Sequence, residues 1–199
     1  MPLSAVKYYQ REGLLPQGEK SAPNQTSYDD SHVQRVRLIR ALLGTGGLSV
    51  AAAREVIAAL DTAPLAEAFS VAQHAMSGSR ATEPAPSHAA RDRVIALAAS
   101  QGWRITPDNP GIDTAARALD GLSAIGFHAP ADYLNAFAAA AGAAAAADLQ
   151  ALAAVPTPER QAELMVVGSV LGDPLFAGLR RLAHEDATHD RFPTQPKAE

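Results

Sequence analysis

The 199-residue chain contains no cysteine. That excludes disulfides, thiolate metal sites and a cysteine nucleophile. Aromatic residues make up only 5%, so few side chains can line an apolar pocket. The N-terminus lacks a secretory signal pattern, because Lys7, Arg11 and Glu12 interrupt any apolar core. No apolar run is expected to span a bilayer, so the expected location is the cytoplasm with no membrane partner. No Gly-x-Ser-x-Gly elbow, phosphate-binding loop or paired His-Glu motif occurs. An enzyme is therefore not expected, and no cofactor is implied.

What is present reads as globular: hydrophobic residues are 47% and charged residues 19%. Ala supplies much of the apolar share, and Ala is the best helix former. The expected fold class is all-α with a small β-hairpin. Net charge is −4, distributed unevenly. Residues 1–60 carry seven Lys and Arg against five Asp and Glu, or +2, which leaves −6 for the remainder. A basic front and an acidic rear suit a nucleic-acid module joined to something else.

Ser4 is a candidate N-cap for a short first helix that ends at Gly13. Lys7 and Arg11 lie one turn apart on it, and like charges at that spacing call for an anion opposite. Pro16 to Ser27 is rich in turn formers and predicts a short hairpin. Asp29 caps a second helix, with Val33, Val36, Ile39 and Leu43 as its buried stripe. Ser49 caps a third. Pro64 to Ser77 is helical, with Leu65, Phe69, Ala72 and Met76 forming a seam suited to a partner helix. Residues 79–88 read as a linker. Behind it, helices are expected over 89–101, 113–125 and 130–154, then from Thr157-Pro158 until Pro174 breaks or kinks the run. A last helix follows, and 194–199 are expected to be disordered. His184, Glu185, Asp186, His189 and Asp190 suggest a metal cluster, but histidines five apart do not share a helix face. They read as a solvated helix end.

Three blocks carry a family resemblance. They are Ala5-Val6-Lys7-Tyr8-Tyr9-Gln10-Arg11-Glu12-Gly13-Leu14-Leu15-Pro16, then Tyr28-Asp29-Asp30-Ser31-His32-Val33, then Arg37-Leu38-Ile39-Arg40-Ala41-Leu42-Leu43 leading into Gly47-Leu48-Ser49. In order and spacing they resemble MerR-type transcriptional regulators, which have a winged helix-turn-helix. The ending, Val167 to Gly172 and Leu179 to Asp186, resembles that of an actinobacterial subgroup with a helical C-terminal region. In the family a helix and a turn precede the first block, whereas only Met1 to Ser4 do so here. The motif's first helix is thus missing, and the expectation is that the natural start lies upstream.

The resemblance implies a homodimer on a palindromic promoter operator, with a recognition helix in each major groove and a wing against the backbone. It implies control through DNA deformation, an influence on RNA polymerase exerted through promoter DNA, and in some members a small-molecule effector. The DNA-binding residues it implies are Ser4, Ala5, Lys7, Tyr8, Arg11, Gln25, Ser27, Tyr28 and Arg37. Many relatives carry Arg where this chain has Ser27, which removes one phosphate contact and flattens the salt dependence by about one unit. The expected domains are 1–62 for DNA binding, 63–78 for dimerisation and 89–193 for an effector. The bulky groups available for a ligand are Trp103, Tyr133, Phe137 and Met165, although core packing explains each at least as well. The alternative is a small-molecule-binding or sequestering protein that has lost DNA affinity with its first helix.

Overall fold

The computed structural model of the protein describes residues 1–22, 25–77 and 84–191. Its elements run α1 (Leu3–Arg11), β1 (Glu19–Ala22), β2 (Gln25–Ser27), α2 (Asp30–Arg40), a π-helical turn (Ala41–Thr45), α3 (Val50–Thr62), α4 (Leu65–Ser77), α5 (His88–Ser100), α6 (Pro110–Ala124), α7 (Ala131–Ala153) and α8 (Pro158–Arg191). This is the expected helical fold with one antiparallel hairpin, in which Glu19 pairs with Ser27 and Lys20 with Thr26. The chain forms two compact units. The first takes in Met1–Gly47 and the chain from Val167; the second is Leu48–Val166.

In the first unit the buried side chains include Leu14, Leu15, Leu38, Ile39, Leu42 and Val170. Gly13 ends α1 in the left-handed conformation at φ 71°. The Leu14 N–H then donates back to the Tyr9 carbonyl at 2.9 Å, and the Leu14 side chain enters the core. Gly46 is required for space rather than for torsion. A Cβ at that position would collide with a Val170 methyl of α8 and with the Leu42 carbonyl. The C-terminal helix therefore lies directly on the turn that closes residues 1–47.

In the second unit α3 packs on α4 and α5 on α6. Ala53, Val56, Ala68 and Ala72 are fully buried there, so the Ala72 step of the α4 seam is occupied within the chain. A second core gathers Ala90, Ala116, Leu119 and Ala129, flanked by Val94, Leu122, Tyr133 and Leu134. The Ser49 hydroxyl accepts from the Ala52 N–H at 3.2 Å and caps α3 as expected. Ser49→Ala should cost about 0.5–2 kcal/mol of stability, read by denaturant titration; an unchanged midpoint would contradict the cap.

Ser87 does two jobs. Its hydroxyl accepts from the Ala90 N–H at 3.1 Å and caps α5. The same hydroxyl and the Ser87 N–H both donate to Asp120 of α6, each at 2.7 Å. These two donors, the backbone N–H first, hold the Asp120 carboxyl below the usual carboxylate range. A depressed pKa means the bond contributes fully above the unfolded value of about 3.9 and is lost as pH falls through the folded value. The Ser87 amide resonance should therefore stay put from neutral pH down to about pH 4 and move only below it. Asp120→Asn should abolish that movement, and a titration centred near pH 6 would contradict the assignment.

Four sequence expectations change. Ser4 is not the cap: α1 starts at Leu3 with Pro2 at the cap position. The fixed φ of proline pre-sets the first turn, and the Ala5 N–H donates to the Pro2 carbonyl at 3.1 Å. The sixth helix starts at Pro110, earlier than 113, because the Asn109 side chain accepts from the Gly111 N–H and proline takes the first helical position. Pro174 does not break the chain's last helix, and α8 runs continuously through it. One missing N–H removes one hydrogen bond, while the turns on both sides keep theirs. Finally, α7 and Pro158–His189 of α8 are each long and apolar enough to cross a bilayer by length and composition, at hydropathy 1.4. Alanine counts as apolar on that scale although each one transfers little surface, and α7 holds only Asp132 and Asp148 as charges. The expected tail over 194–199 and residues 79–83 of the linker lie outside the described residues.

Candidate nucleic-acid interface

Helix α1 has two sides. Val6, Tyr9 and Gln10 are half-buried, whereas Ser4, Lys7, Tyr8 and Arg11 are exposed and Ala5 lies between. The Arg11 guanidinium sits 5.3 Å from the centre of the Tyr8 ring, and its Nε donates to Glu12 at 3.3 Å. Stacking on a ring holds a guanidinium extended without consuming its charge. The face thus presents an ammonium, a guanidinium and a phenol hydroxyl, the groups that contact phosphates and base edges.

The hairpin is fastened to this helix by polar contacts. Gln10 Nε2 donates to the Pro16 carbonyl at 3.1 Å and to the Tyr28 hydroxyl at 3.4 Å. The Tyr28 ring meets His32 edge-on with centroids 5.3 Å apart. His32 Nε2 lies 3.4 Å from the Gln17 carbonyl. Asp29 caps α2 by accepting from the His32 N–H at 3.1 Å. The Ser31 hydroxyl, then His32, hold the Asp29 carboxyl well below the usual carboxylate range. At the base of the hairpin Gly18 faces the Ser27 carbonyl and Thr26 too closely for any Cβ. Gln25 and Ser27 are exposed on β2.

The structure therefore brings Lys7, Tyr8 and Arg11 to one helix face and ties Tyr28 to that helix through Gln10. Arg37 lies on α2, in the wall of an open cleft of about 800 Å3. Tyr9, Val33, Val36 and Leu43 give the cleft its apolar lining, and Arg40 joins Arg37. Gln10 and His32 were not singled out from the sequence. The Asp29-x-x-His32 spacing, a capping box with histidine in the usual Glu position, was the available signal for the second.

In the second unit Tyr133 and Phe137 stack with centroids 4.7 Å apart, and Phe127 meets Tyr133 edge-on at 5.5 Å. Trp103 lies beside Gly142 of α7, and Met165 is half-buried on α8.

Residues 1–60 match the sequence profile of the MerR HTH family regulatory proteins. The first 60 residues thus resemble the MerR-type HTH segment. A solved structure of SCO5550 from Streptomyces coelicolor A3(2), described as a candidate transcriptional regulator, shares its fold with a TM-score of 0.74 at 26% identity. That likeness covers 98% of this chain and 93% of the other. No curated protein matches the sequence. The profile match ends inside α3, so α1, the hairpin and α2 all lie within it.

Proposed function

We propose that the chain is a MerR-type regulator that binds promoter DNA as a cytoplasmic homodimer, each subunit laying α1 in a major groove of a palindromic operator. The observation that carries this reading is the exposed face of Lys7, Tyr8 and Arg11 on a helix to which the wing is pinned by Gln10 and Tyr28. A rigid helix-plus-wing unit with cations on one side fits a duplex, because phosphate contacts fix register while base edges give specificity. Ser4, Ala5, Gln25, Ser27 and Arg37 complete the proposed contact set. RNA polymerase would sense the result through the shape of the promoter.

The aromatic row of Phe127, Tyr133 and Phe137 supports an effector role for the rear of the chain, with Trp103 and Met165 as further candidates. Phe127 and Phe137 are exposed, and ring faces of this kind bind planar apolar molecules. Fluorescence anisotropy with DNA from the protein's own upstream region, at two salt concentrations, tests the DNA reading. Binding that weakens steeply with salt and prefers the upstream sequence supports it. Binding that is absent, or equal for all sequences, refutes it.

A further inference from the structure

His32 is held at both edges of its ring, and the two edges compete for one proton. Nδ1 lies 2.7 Å from the Asp29 carboxylate and 3.4 Å from the Asp29 N–H. Nε2 lies 3.4 Å from the Gln17 carbonyl at the entry to the hairpin. A neutral imidazole has one N–H donor and one acceptor lone pair. With its proton on Nε2, the ring donates to Gln17, but the Nδ1 lone pair faces the carboxylate. With its proton on Nδ1, the ring donates to Asp29, but the Nε2 lone pair faces the Gln17 carbonyl oxygen. Only the imidazolium donates to both oxygens at once.

The surroundings fit a ring that changes between these forms. The Ser31 hydroxyl, 2.6 Å from Asp29, and then His32 hold that carboxylate well below its usual range. It therefore stays an anion where histidine side chains titrate, around pH 6.5. Tyr28 meets the ring edge-on from the hairpin exit, and Gln10 of α1 holds the Tyr28 hydroxyl. Arg35 stands one turn further along α2. Gly18, next to Gln17, lies so close to Tyr28 that a Cβ there would fall 2.9 Å from the ring. The hairpin entry is thus tied to its exit through Tyr28 and to α2 through His32.

We propose that His32 is a positioning residue whose second proton locks the wing, the imidazolium tying the Gln17 carbonyl to the Asp29 carboxylate. On deprotonation the remaining proton stays on Nδ1, where the bond is shorter and charge-assisted. The Gln17 bond is the one lost, and the hairpin entry is freed from the start of α2. The locked wing holds one more proton than the unlocked wing, so it is favoured at low pH and lost as pH rises through the titration of the ring. The lock belongs to the free protein. Its effect on DNA affinity rests on the DNA reading proposed above.

Nitrogen NMR of the His32 ring in the full chain without DNA, between about pH 5 and 8, is the test. Both ring nitrogens are expected to carry protons at the acid end and Nδ1 alone at the alkaline end. The Gly18 and Tyr28 amide resonances should move with the same midpoint. His32→Gln, which puts an ordinary capping-box residue there, should keep the fold and abolish that movement. The other five of the six histidines remain in this variant, so a step caused by one of them would survive. Anisotropy with upstream DNA at fixed salt should show wild-type affinity falling roughly three- to tenfold over the same interval, the effect of one hydrogen bond. The fall should be absent in His32→Gln. A ring singly protonated throughout, hairpin amides that ignore its titration, a step that survives His32→Gln, or DNA affinity with the same pH profile in both proteins would overturn the proposal. A lock that opens with pH in a protein that binds no DNA would support the lock and refute the DNA reading alone.

Discussion

A Lys7→Ala/Arg11→Ala double variant is expected to bind operator DNA roughly a hundred- to ten-thousandfold more weakly at moderate salt. Hydrogen bonds to charged groups contribute about 1.5–3 kcal/mol each, and about 1.4 kcal/mol is a factor of ten. The more diagnostic quantity is the slope of log affinity against log salt. Each phosphate contact removed should lower it by about 0.9. The two cations face solvent on α1, so their loss should leave the melting temperature nearly unchanged. Arg11 adds a distinction. Its guanidinium lies over the Tyr8 ring, so Tyr8→Ala should weaken binding while leaving the charge in place. If affinity falls but the salt slope is unaltered in the double variant, these residues do not meet phosphates and the interface lies elsewhere.

Gly46→Ala should destabilise the protein by about 1–3 kcal/mol, the usual cost of overpacking. The new methyl would enter the volume of the Val170 side chain and press on the Leu42 carbonyl, and backbone does not yield cheaply. Val170 is 2% exposed. Val170→Ala in the wild-type background should also destabilise, because it leaves a cavity. In the Gly46→Ala background it should cost much less, since it makes room for the added methyl. That reduced cost, measured as the coupling in a double-mutant cycle, is the decisive result. Additive losses would mean that the two positions do not touch. Against a total stability of about 5–15 kcal/mol, the single substitutions are large.

Much of the local structure was legible in the chain. Asp29 and Ser49 are caps because a short acceptor side chain precedes an apolar period, and both hydrogen bonds are present. Gly13 ends α1 at positive φ for the same local reason. Where the reading failed, local rules competed. Ser4 is a better capping residue than Pro2, but proline fixes its own φ and lets the helix begin two residues earlier than a Ser4 cap would allow. Pro174 breaks short helices, yet α8 is long enough to lose one bond and continue. The alanine tract misled the estimate of bilayer length, because composition scales count many small gains as one large one.

The candidate site was partly legible. The face of Lys7, Tyr8 and Arg11 follows from helical spacing alone. The fastening of the wing does not, because Gln10 and Tyr28 lie 18 residues apart and meet only when the hairpin folds back. His32 was not singled out either, and its ring is held between Asp29, Tyr28 and the Gln17 carbonyl. The cleft was invisible for another reason. Val33 and Val36 read as core by period, and only the structure shows that their side of α2 is left open. No sequence pattern announced that residues past 167 belong with the first 47.

That last arrangement sets a timetable for biosynthesis. Gly46 leaves the ribosome long before Val170, and at about 5–20 residues per second the delay is on the order of ten seconds. During that interval the nascent first segment lacks the helix that covers its closing turn, while the intervening residues can already assemble their own core. A unit built this way is completed only after Val170 has emerged, so a chain stalled before that point would leave the turn at 41–47 uncovered.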